Sequence, residues 1–345
     1  MEPVSVTVHL HQAVPVTKTC GCLGRTEWSD GLVEREGVRS LWSEVPEAVR
    51  DELNVVQGSP VVATHGVRGG FSPGPAVRAD LADGRIVFIK AAGTEPNPHS
   101  PVMHRREAAV LTVIPAAVPA PRLLGVVDDG DWVALATEWV DGRMPSASNP
   151  ADIARLIGVL DRVADATTDV ELPGLLPFAD THRSLGGHWT RLATEPLPGL
   201  DEWSHRHLEH LVALDQLAPA ATVGLNLVHV DTRTDNVLLA ESGPPDDVLV
   251  DWPGASLGAP WIDLVALLPA LHLDGGPPPS DILAAHPRGR RADPGAVDAF
   301  LASLAGYFTR QSMLPPPPGL PTVRRFQAAQ GTIARRWLAE RLSLP

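Results

Sequence analysis

Apolar and polar residues repeat with two different periods in the two parts of this chain. Between about residues 61 and 140, short apolar runs are separated by turns rich in Gly, Pro and Asp, a pattern that predicts β-strands. After residue 149, apolar residues recur at helical spacing, which predicts amphipathic helices. The pattern therefore indicates an α+β protein, with a small antiparallel sheet followed by a mainly helical part.

The N-terminal pattern resolves into one helix and five strands. Leu41, Val45, Val49 and Leu53 have near-helical spacing and are followed by Gly58, so a short amphipathic helix precedes the sheet. The predicted strands cover residues 61–63, 76–81, 85–90, 122–127 and 132–140. The polar, Pro-containing stretch that follows, 141–150, indicates a linker to the second part.

The C-terminal pattern predicts helices with recognisable starts. Asn149-Pro150 and Asp293-Pro294 each place a capping side chain before a proline, the usual arrangement at a helix N-terminus. Further apolar stripes lie within residues 203–214, 260–268 and 326–338. We therefore predict an N-terminal lobe at residues 39–140 and a helical C-terminal lobe at residues 141–345.

Residues 1–38 follow neither period and contain both cysteines, Cys20 and Cys22. The Cys-x-Cys spacing is not the usual one for zinc, and two cysteines imply no disulfide scaffold. We expect this segment to be an N-terminal extension, either disordered or the product of an over-long start.

The stretch from Val228 to Trp252 carries the strongest chemical signal. It contains His229, Asp231 and Asn236, and then two apolar runs separated by a Gly-Pro-Pro turn, with Asp251 at the end of the second run. The two runs predict a hairpin that brings Asn236 and Asp251 to the same end, with Asp231 in the loop leading in. Two oxygen ligands for magnesium beside a further carboxylate suit phosphoryl transfer. The alternative is that these are ordinary turn residues.

Lys90 is the second candidate because lysine is so rare in this chain. Only Lys18 and Lys90 occur among 28 basic residues, and Lys90 ends an apolar strand where an ammonium group needs a partner. Glu107, on a helix that Ser100-Pro101 is predicted to start, is the expected partner. A Gly-rich connection upstream, which includes Gly70 and Ser72, places backbone N–H groups where phosphates can approach.

The net charge of −13 argues against nucleic acid or an anionic membrane as a partner. No apolar run reaches transmembrane length and no secretory leader is recognisable, so the expected location is the cytoplasm. The part from Asp141 onward is acidic, which indicates either a solvated surface or a groove for a cationic substrate.

Taken together, these features resemble the protein-kinase-like, two-lobed fold, and within it the aminoglycoside phosphotransferase family of small-molecule kinases. The resemblance covers about residues 40–340 and is carried by HVDTRTDN (229–236), VLVDW (248–252) and GAPWIDLVALL (258–268). Trp252 follows Asp251 where a protein kinase has Phe-Gly, and no Ala-Pro-Glu signature follows, so a protein kinase is disfavoured.

The resemblance implies a role for each matched residue. Asp231 corresponds to the catalytic Asp, Asn236 and Asp251 correspond to the magnesium ligands, and Lys90 with Glu107 corresponds to the pair that positions the nucleotide phosphates. The backbone at the end of the last strand, including Glu138 and Val140, corresponds to the segment that binds adenine.

Two neighbours of the catalytic Asp have further expected roles. His229 is expected to anchor the catalytic loop rather than act as a base. Arg233 is expected either to reach the transferring phosphate or to pair with Asp235. The chain also departs from the family pattern, because Val230 stands where Gly is usual between the His and the Asp, and Ala259 stands where Asp is frequent, although Asp263 matches.

The expected function is ATP- and Mg²⁺-dependent transfer of the γ-phosphate to a hydroxyl of a small molecule, with GTP not excluded as donor. Expected acceptors are an aminoglycoside or another antibiotic, in which case the activity confers antibiotic resistance, or an amino sugar or related metabolite. Two alternatives remain open. One is a kinase for a nucleoside- or macrolide-type antibiotic that uses the aromatic residues of 189–203 as a platform, and the other is a non-catalytic nucleotide-binding regulator.

Overall fold

An antiparallel sheet of five strands forms the first part of the described chain. The computed structural model describes residues 39–67, 74–95, 97–243 and 246–345. The elements of this part are α1 (Glu47–Val56), β1 (Val61–Gly66), β2 (Ala76–Leu81), β3 (Ile86–Gly93), α2 (His99–Val113), β4 (Leu123–Asp128) and β5 (Trp132–Glu138). The strand order is β1-β2-β3-β5-β4, so β3 lies in the centre of the sheet.

The two helices of this part pack on the sheet as their apolar residues predict. Val49 and Leu53 of α1 are buried against β4 and β5, together with Val45 just before the helix. α2 packs against β3, β4 and β5 and buries Glu107 among them. The central strand β3 therefore has a covered face, and a charged side chain on it needs a partner.

The second part of the chain is mainly helical. Its elements are β6 (Gly142–Arg143), α3 (Pro150–Ala166), α4 (Phe178–Thr181), α5 (His188–Thr194), α6 (Glu202–Arg206), α7 (Leu208–Ala221), β7 (Asn226–Val228), β8 (Val237–Ala240), β9 (Val248–Leu249), β10 (Ser256–Gly258), α8 (Ile262–Leu273), α9 (Pro279–Ala285), α10 (Pro287–Arg291), α11 (Pro294–Ser312) and α12 (Val323–Leu342). The long helix α11 is the centre of this part, since it packs against α5, α7, α8 and α12.

The fold class predicted from the sequence is confirmed: an antiparallel sheet precedes a helical part. The capping predictions also hold, because Asn149 accepts from Ala151 N at 3.0 Å and Asp293 accepts from Ala296 N at 2.8 Å. The lobe boundary at residue 140 stays a prediction, and the proposed extension, 1–38, lies outside the described residues. Within the described ranges no helix is long and apolar enough to cross a membrane.

Three local predictions are wrong. Lys90 lies inside β3 rather than at its end, since the strand continues to Gly93. α2 begins at His99 rather than after Ser100, because the Asn97 side chain accepts from His99 N and the Asn97 carbonyl accepts from Ser100 N. Trp189 is fully buried and donates to the Ala302 carbonyl, so it belongs to the core and offers no platform to a ligand.

Candidate active site

The loop between β7 and β8 is held by one buried carboxylate, that of Asp263 in the first turn of α8. Its two oxygens accept from the backbone N–H groups of His229 and Val230, each at 2.8 Å, and its carbonyl accepts from Thr232 Oγ1 at 2.9 Å. Burial raises the pKa of Asp263, partly offset by these donors and by His229. The side chain thus fixes the backbone on which Asp231 stands.

Val230 adopts a backbone conformation that is unusual for a β-branched residue. Its φ is 72°, in the left-handed region where glycine is the default. The departure from the family pattern noted in the sequence therefore has a structural cost at this position. The two hydrogen bonds to Asp263 hold the turn in place despite that strain.

His229 is a buried anchor. Its Nε2 lies 3.0 Å from the carbonyl oxygen of Val250, and because a carbonyl only accepts, Nε2 carries the hydrogen. The ring meets Trp252 edge to face at 4.8 Å between centroids. Its Nδ1 is buried and has no hydrogen-bond partner in the part of the chain that the structure describes. These contacts tie the loop between β7 and β8 to the end of the hairpin.

Asp231 is the exposed carboxylate of the loop, with 47% of its side chain accessible. Its Oδ1 accepts from Arg233 Nη1 at 2.5 Å, and its Oδ2 accepts from Asn236 Nδ2 at 3.2 Å. Arg233 also donates from Nε to Asp235 Oδ1 at 2.9 Å. Although burial lowers the pKa of Arg233, the charges of Asp231 and Asp235 raise it overall, so the guanidinium is a permanent cation beside Asp231.

The predicted hairpin brings Asn236 and Asp251 together. β8 and β9 pair antiparallel, and Val250 N donates to the Asn236 carbonyl at 2.8 Å. Asp251 follows Val250 directly in the chain, so it stands at the same end of the hairpin as Asn236. Asp251 has a φ of 70°, which turns the chain sharply at this point. Asn236 Nδ2 also donates to the Asp231 backbone carbonyl at 2.8 Å, which joins the hairpin end to the loop between β7 and β8.

Lys90 contacts its predicted partner, Glu107, and also Asp251, a contact that the sequence did not predict. Its Nζ forms an ion pair with Glu107 of α2 and donates to Asp251 Oδ1 at 2.8 Å. Burial lowers the pKa of Lys90, but the charges of Asp251 and Glu107 outweigh this and raise it, so the ammonium stays protonated. Conversely, although burial raises the pKa of Asp251, Lys90 holds it below its ordinary value.

Of the other four predicted nucleotide-binding residues, the structure describes two, Glu138 and Val140. Gly70 and Ser72 lie outside the described residues. Glu138 ends β5, and its carboxylate is occupied by the guanidinium of Arg122. Val140 lies just beyond β5 and is partly buried. An adenine-binding role for the backbone at Glu138 and Val140 stays a prediction.

Gly74, at the end of the Gly-rich connection, shows why glycine is needed there. A Cβ on Gly74 would stand 1.8 Å from the carbonyl oxygen of Ala91, the residue after Lys90. The chain that leaves the Gly-rich connection therefore lies directly on the strand that carries Lys90.

The donor set at the hairpin end fits magnesium. Asn236 supplies an amide oxygen and Asp251 a carboxylate, the hard oxygen ligands that this ion prefers, and protein sites of this kind use one or two such groups plus substrate phosphates. Because the Nδ2 of Asn236 is bound to Asp231, the Oδ1 on the opposite edge of the planar amide points away from Asp231. Among the described residues no cluster of three or more His, Cys, Asp and Glu side chains offers a different metal site.

Three side chains near the site were not among the residues chosen from sequence. Asp263 was noted only through the resemblance, because helical periodicity could not fix the direction in which it points. Tyr307 of α11 is the chain's only tyrosine, and this rarity was the signal available. Burial, followed by the charge of Asp231, raises the pKa of Tyr307. His104, one turn before Glu107 on α2, carried no such signal.

The fold and these contacts define a phosphotransferase of small molecules. The model of the phosphotransferase enzyme family matches residues 76–315, well over half of the chain, so the chain belongs to this family, which includes the aminoglycoside phosphotransferases. The chain is a small-molecule kinase by this membership. None of the curated protein sequences compared with it gives a significant match.

The first two of the following three solved structures show the same fold at low sequence identity. A protein described as a fructosamine-3-kinase from Haemophilus somnus 129PT has a TM-score of 0.52 and 12% identity, covering 85% of this chain and 96% of its own. Spectinomycin phosphotransferase in complex with ADP and spectinomycin has a TM-score of 0.50 and 11% identity, covering 84% and 93%. An aminoglycoside phosphotransferase from Alicyclobacillus acidocaldarius has 18% identity and a TM-score of 0.47, covering 88% and 97%.

Proposed function

We propose that this protein transfers the γ-phosphate of ATP, with Mg²⁺, to a hydroxyl group of a small molecule. The observation that carries the proposal is a continuous series of contacts through the site. Glu107 pairs with Lys90, and Lys90 binds Asp251. Val250, which precedes Asp251, donates to the Asn236 carbonyl, and Asn236 binds Asp231. Phosphoryl transfer requires these groups together, since it depends on positioning and charge stabilisation rather than on covalent chemistry by the protein.

Asn236 and Asp251 would hold the magnesium ion, which neutralises charge on the phosphates when bound. The protonated Lys90 contributes a second positive charge on the side of the sheet, and Glu107 keeps it in place. Lys90 and Glu107 are both present, whereas a protein that has lost catalysis is free to lose at least one of them. Their presence supports catalysis over a non-catalytic role of the same fold.

Asp231 orients the acceptor. Its carboxylate is the half-exposed group of the loop, and two donors fix its direction, Arg233 and Asn236. It positions the attacking hydroxyl in line and accepts its proton late, because the transition state is loose. Arg233 serves chiefly to hold Asp231 and Asp235, since its N–H groups are already directed at both carboxylates.

The residues beside Asp231 on α11 and α12 favour a neutral hydroxylated acceptor over a polycationic one. Gln327 lies beside the Tyr307 hydroxyl, and Arg324 donates to Gln311 and Gln327, which makes this wall polar and partly cationic. Two further carboxylates lie in the loop or contact it. Asp235, in the loop, accepts from the Arg233 guanidinium, and Asp274, at the end of α8, accepts from the Thr234 hydroxyl. A polycation gains most from carboxylates that have no cationic partner and is repelled by a cation such as Arg324. Because Asp235 is already paired with Arg233, we favour the nucleoside type of acceptor over an aminoglycoside.

The test is an ADP-release assay with Asp231→Asn and Asp251→Asn, run over neutral and cationic hydroxylated acceptors with ATP or GTP. We expect loss of turnover in both variants and in wild type treated with a magnesium chelator. Asp246→Asn is the matched control, because Asp246 lies exposed in the turn of the same hairpin. Wild-type turnover in both active-site variants, with folding verified by circular dichroism, contradicts the proposal.

The same assay, combined with thermal unfolding, distinguishes a kinase from a non-catalytic nucleotide-binding protein. A nucleotide-binding regulator shows magnesium-dependent thermal stabilisation by nucleotide but no ADP release above the rate in Asp231→Asn with any acceptor. We expect both stabilisation and acceptor-dependent release. The acceptor that gives the fastest release then decides between the neutral and the cationic class.

A further inference from the structure

The hairpin that carries Asn236 and Asp251 has a short ladder. In the described part of the hairpin, two residue pairs join β8 to β9: Val237 with Leu249, and Leu238 with Val248. A two-stranded hairpin of this size is marginally stable by itself, and a slip of one residue turns every side chain of a strand to the opposite face. The direction of Asp251 therefore depends on the contacts that fix the register of β9 against β8.

A buried ion pair lies at the other end of this hairpin. Asp247, which directly precedes β9, has a side chain that is 0% accessible, and its Oδ2 accepts from Nε of Arg155 on α3 at 2.9 Å. Its Oδ1 also accepts from Arg155 Nη2. A two-pronged contact between a guanidinium and a carboxylate fixes the orientation of both groups, which a single ionic contact does not do.

Arg155 holds both strands of the hairpin at once. Its Nη2 also donates to the carbonyl of Ala240, the last residue of β8, at 2.8 Å. Asp247 Oδ1 accepts from Ala240 N at 2.8 Å, so the two side chains bond both backbone polar groups of Ala240. Arg162, about two turns further along α3, donates from Nη2 to the Asp247 carbonyl at 2.8 Å. One helix therefore closes the hairpin at the end away from Asn236 and Asp251.

We propose that Arg155 and Asp247 are positioning residues for the magnesium site, because they fix the register that places Asn236 and Asp251 beside each other. The inference rests on the proposed phosphotransfer function and adds a remote determinant to it. Each strand runs four residues, about 13 Å, between the ion pair and the metal ligands, so the pair acts through the hairpin and does not touch the ion. Apolar residues could fill the same space, but they lack the directional bonds that set a register.

The experiment measures Mn²⁺ binding to the full chain with ADP by electron paramagnetic resonance, and the Mg²⁺ dependence of ADP release. Arg155→Lys keeps the positive charge but loses the fork that bridges Asp247 and Ala240. The affinity for Mn²⁺ should fall about tenfold and the Mg²⁺ requirement should rise equally, while adenosine binding and the acceptor KM stay unchanged. Asp247→Asn, which loses the charge and one acceptor oxygen, should change both quantities in the same direction.

Amide hydrogen exchange tests the register directly. Exchange at Val250 N, which donates to the Asn236 carbonyl, should become faster in Arg155→Lys, whereas exchange at His229 N, which Asp263 holds, should not change. Arg288→Lys is the matched control. The Arg288 side chain is 19% accessible against 25% for Arg155, and it makes a forked contact with Asp161 and Asp165 of α3 on α10 rather than on the hairpin.

Lower stability with unchanged Mn²⁺ affinity in both Arg155→Lys and Asp247→Asn overturns the positioning role and leaves the pair a structural contact. An equal loss of affinity in Arg288→Lys also overturns it, because a general loosening of α3 then explains the effect. If wild type with ADP binds no Mn²⁺, the proposed function itself fails, whereas normal wild-type binding with unaffected variants removes the positioning role alone. Where Asp247→Asn does not fold, Arg162→Gln, which removes one bond to the Asp247 carbonyl, provides a milder form of the same test.

Discussion

Lys90 Nζ donates to Asp251 Oδ1 at 2.8 Å while it pairs with Glu107, so one ammonium group joins the sheet, α2 and the catalytic hairpin. The three side chains differ in exposure. Lys90 and Glu107 retain 11% and 4% of their side-chain accessibility, whereas Asp251 retains 43%. Loss of Lys90 therefore leaves Glu107 as a buried charge without its cation, while Asp251 stays in contact with solvent.

A double substitution separates this structural role of Lys90 from its role in catalysis. Burial already raises the pKa of Glu107 to about 7 and Lys90 opposes this rise, so without Lys90 the buried carboxylate is either unpaired or protonated. We expect Lys90→Met to destabilise the fold by about 3 kcal/mol for this reason. Adding Glu107→Gln should recover most of that stability without recovering activity. Urea unfolding and ADP release measure the two effects, and equal stability of the single and double variants contradicts the explanation.

Alanine variants are usually more stable than glycine variants, and at Val230 we expect the reverse order of stability. With a φ of 72°, a residue that has a Cβ is strained, so Val230→Gly should be more stable than Val230→Ala by about 1 kcal/mol. At the buried Val228 of β7, which is not among the positive-φ residues, alanine should be the more stable choice. Chemical unfolding of the four variants tests this, and the same order at both positions argues against strain at Val230.

Asp263→Asn should lower kcat with little change in the KM for ATP. An amide nitrogen cannot accept, so one of the N–H groups of His229 and Val230 loses its partner and the catalytic loop loosens. We expect a loss of about 2 kcal/mol in stability and about tenfold in kcat. Asp281→Asn, at an exposed position on α9, is the control that should match wild type.

The buried His104 predicts a loss of stability on acidification. Its pKa is about 3 in the folded protein against an unfolded value of about 6.5, so below pH 6.5 the unfolded chain binds a proton that the folded chain does not. The stability that His104 contributes is present above the unfolded pKa and is lost as the pH falls. Between pH 7 and pH 5, wild type should lose about 2 kcal/mol more than His104→Gln. Parallel pH profiles of the two proteins contradict this assignment.

Tyr307→Phe tests whether the polar residues of α11 and α12 beside Asp231 contact the acceptor. The hydroxyl that Gln327 binds beside Asp231 is removed while the ring and its contact with His188 remain. Loss of one hydrogen bond of about 1 kcal/mol should raise the acceptor KM about fivefold and leave the ATP KM unchanged. An unchanged acceptor KM with a lower kcat points instead to a role of Tyr307 in aligning Asp231.

The features that the sequence predicts correctly are local ones. The hairpin that joins Asn236 to Asp251 depends on a turn and two short apolar runs, and the starts of α3 and α11 depend on a capping residue before proline. The sequence also predicts the pairing of Lys90 with Glu107, because a lysine at the end of an apolar strand requires a partner and the following helix offers one.

The contacts that sequence could not predict join distant segments. Periodicity leaves the direction of Asp263 open, because the first turn of α8 is apolar on every side. His104 looks like an ordinary polar helix residue in the sequence, so only the tertiary fold shows that it lies within electrostatic reach of Lys90. The predicted start of α2 is wrong for a related reason. A turn at Asn97, whose side chain accepts from His99 N, starts the helix before Ser100, and local sequence does not rank the two starts.

The contact between Lys90 and Asp251 spans 161 residues of sequence, and Asp251 in turn depends on a hairpin whose loop is fixed from α8. Contacts of such long sequence separation form late, because the chain entropy of closing the loop must be lost before they stabilise anything. During refolding from denaturant, helix and sheet signals should therefore recover before enzymatic turnover. Turnover in this protein reports the completion of folding rather than the presence of its secondary structure.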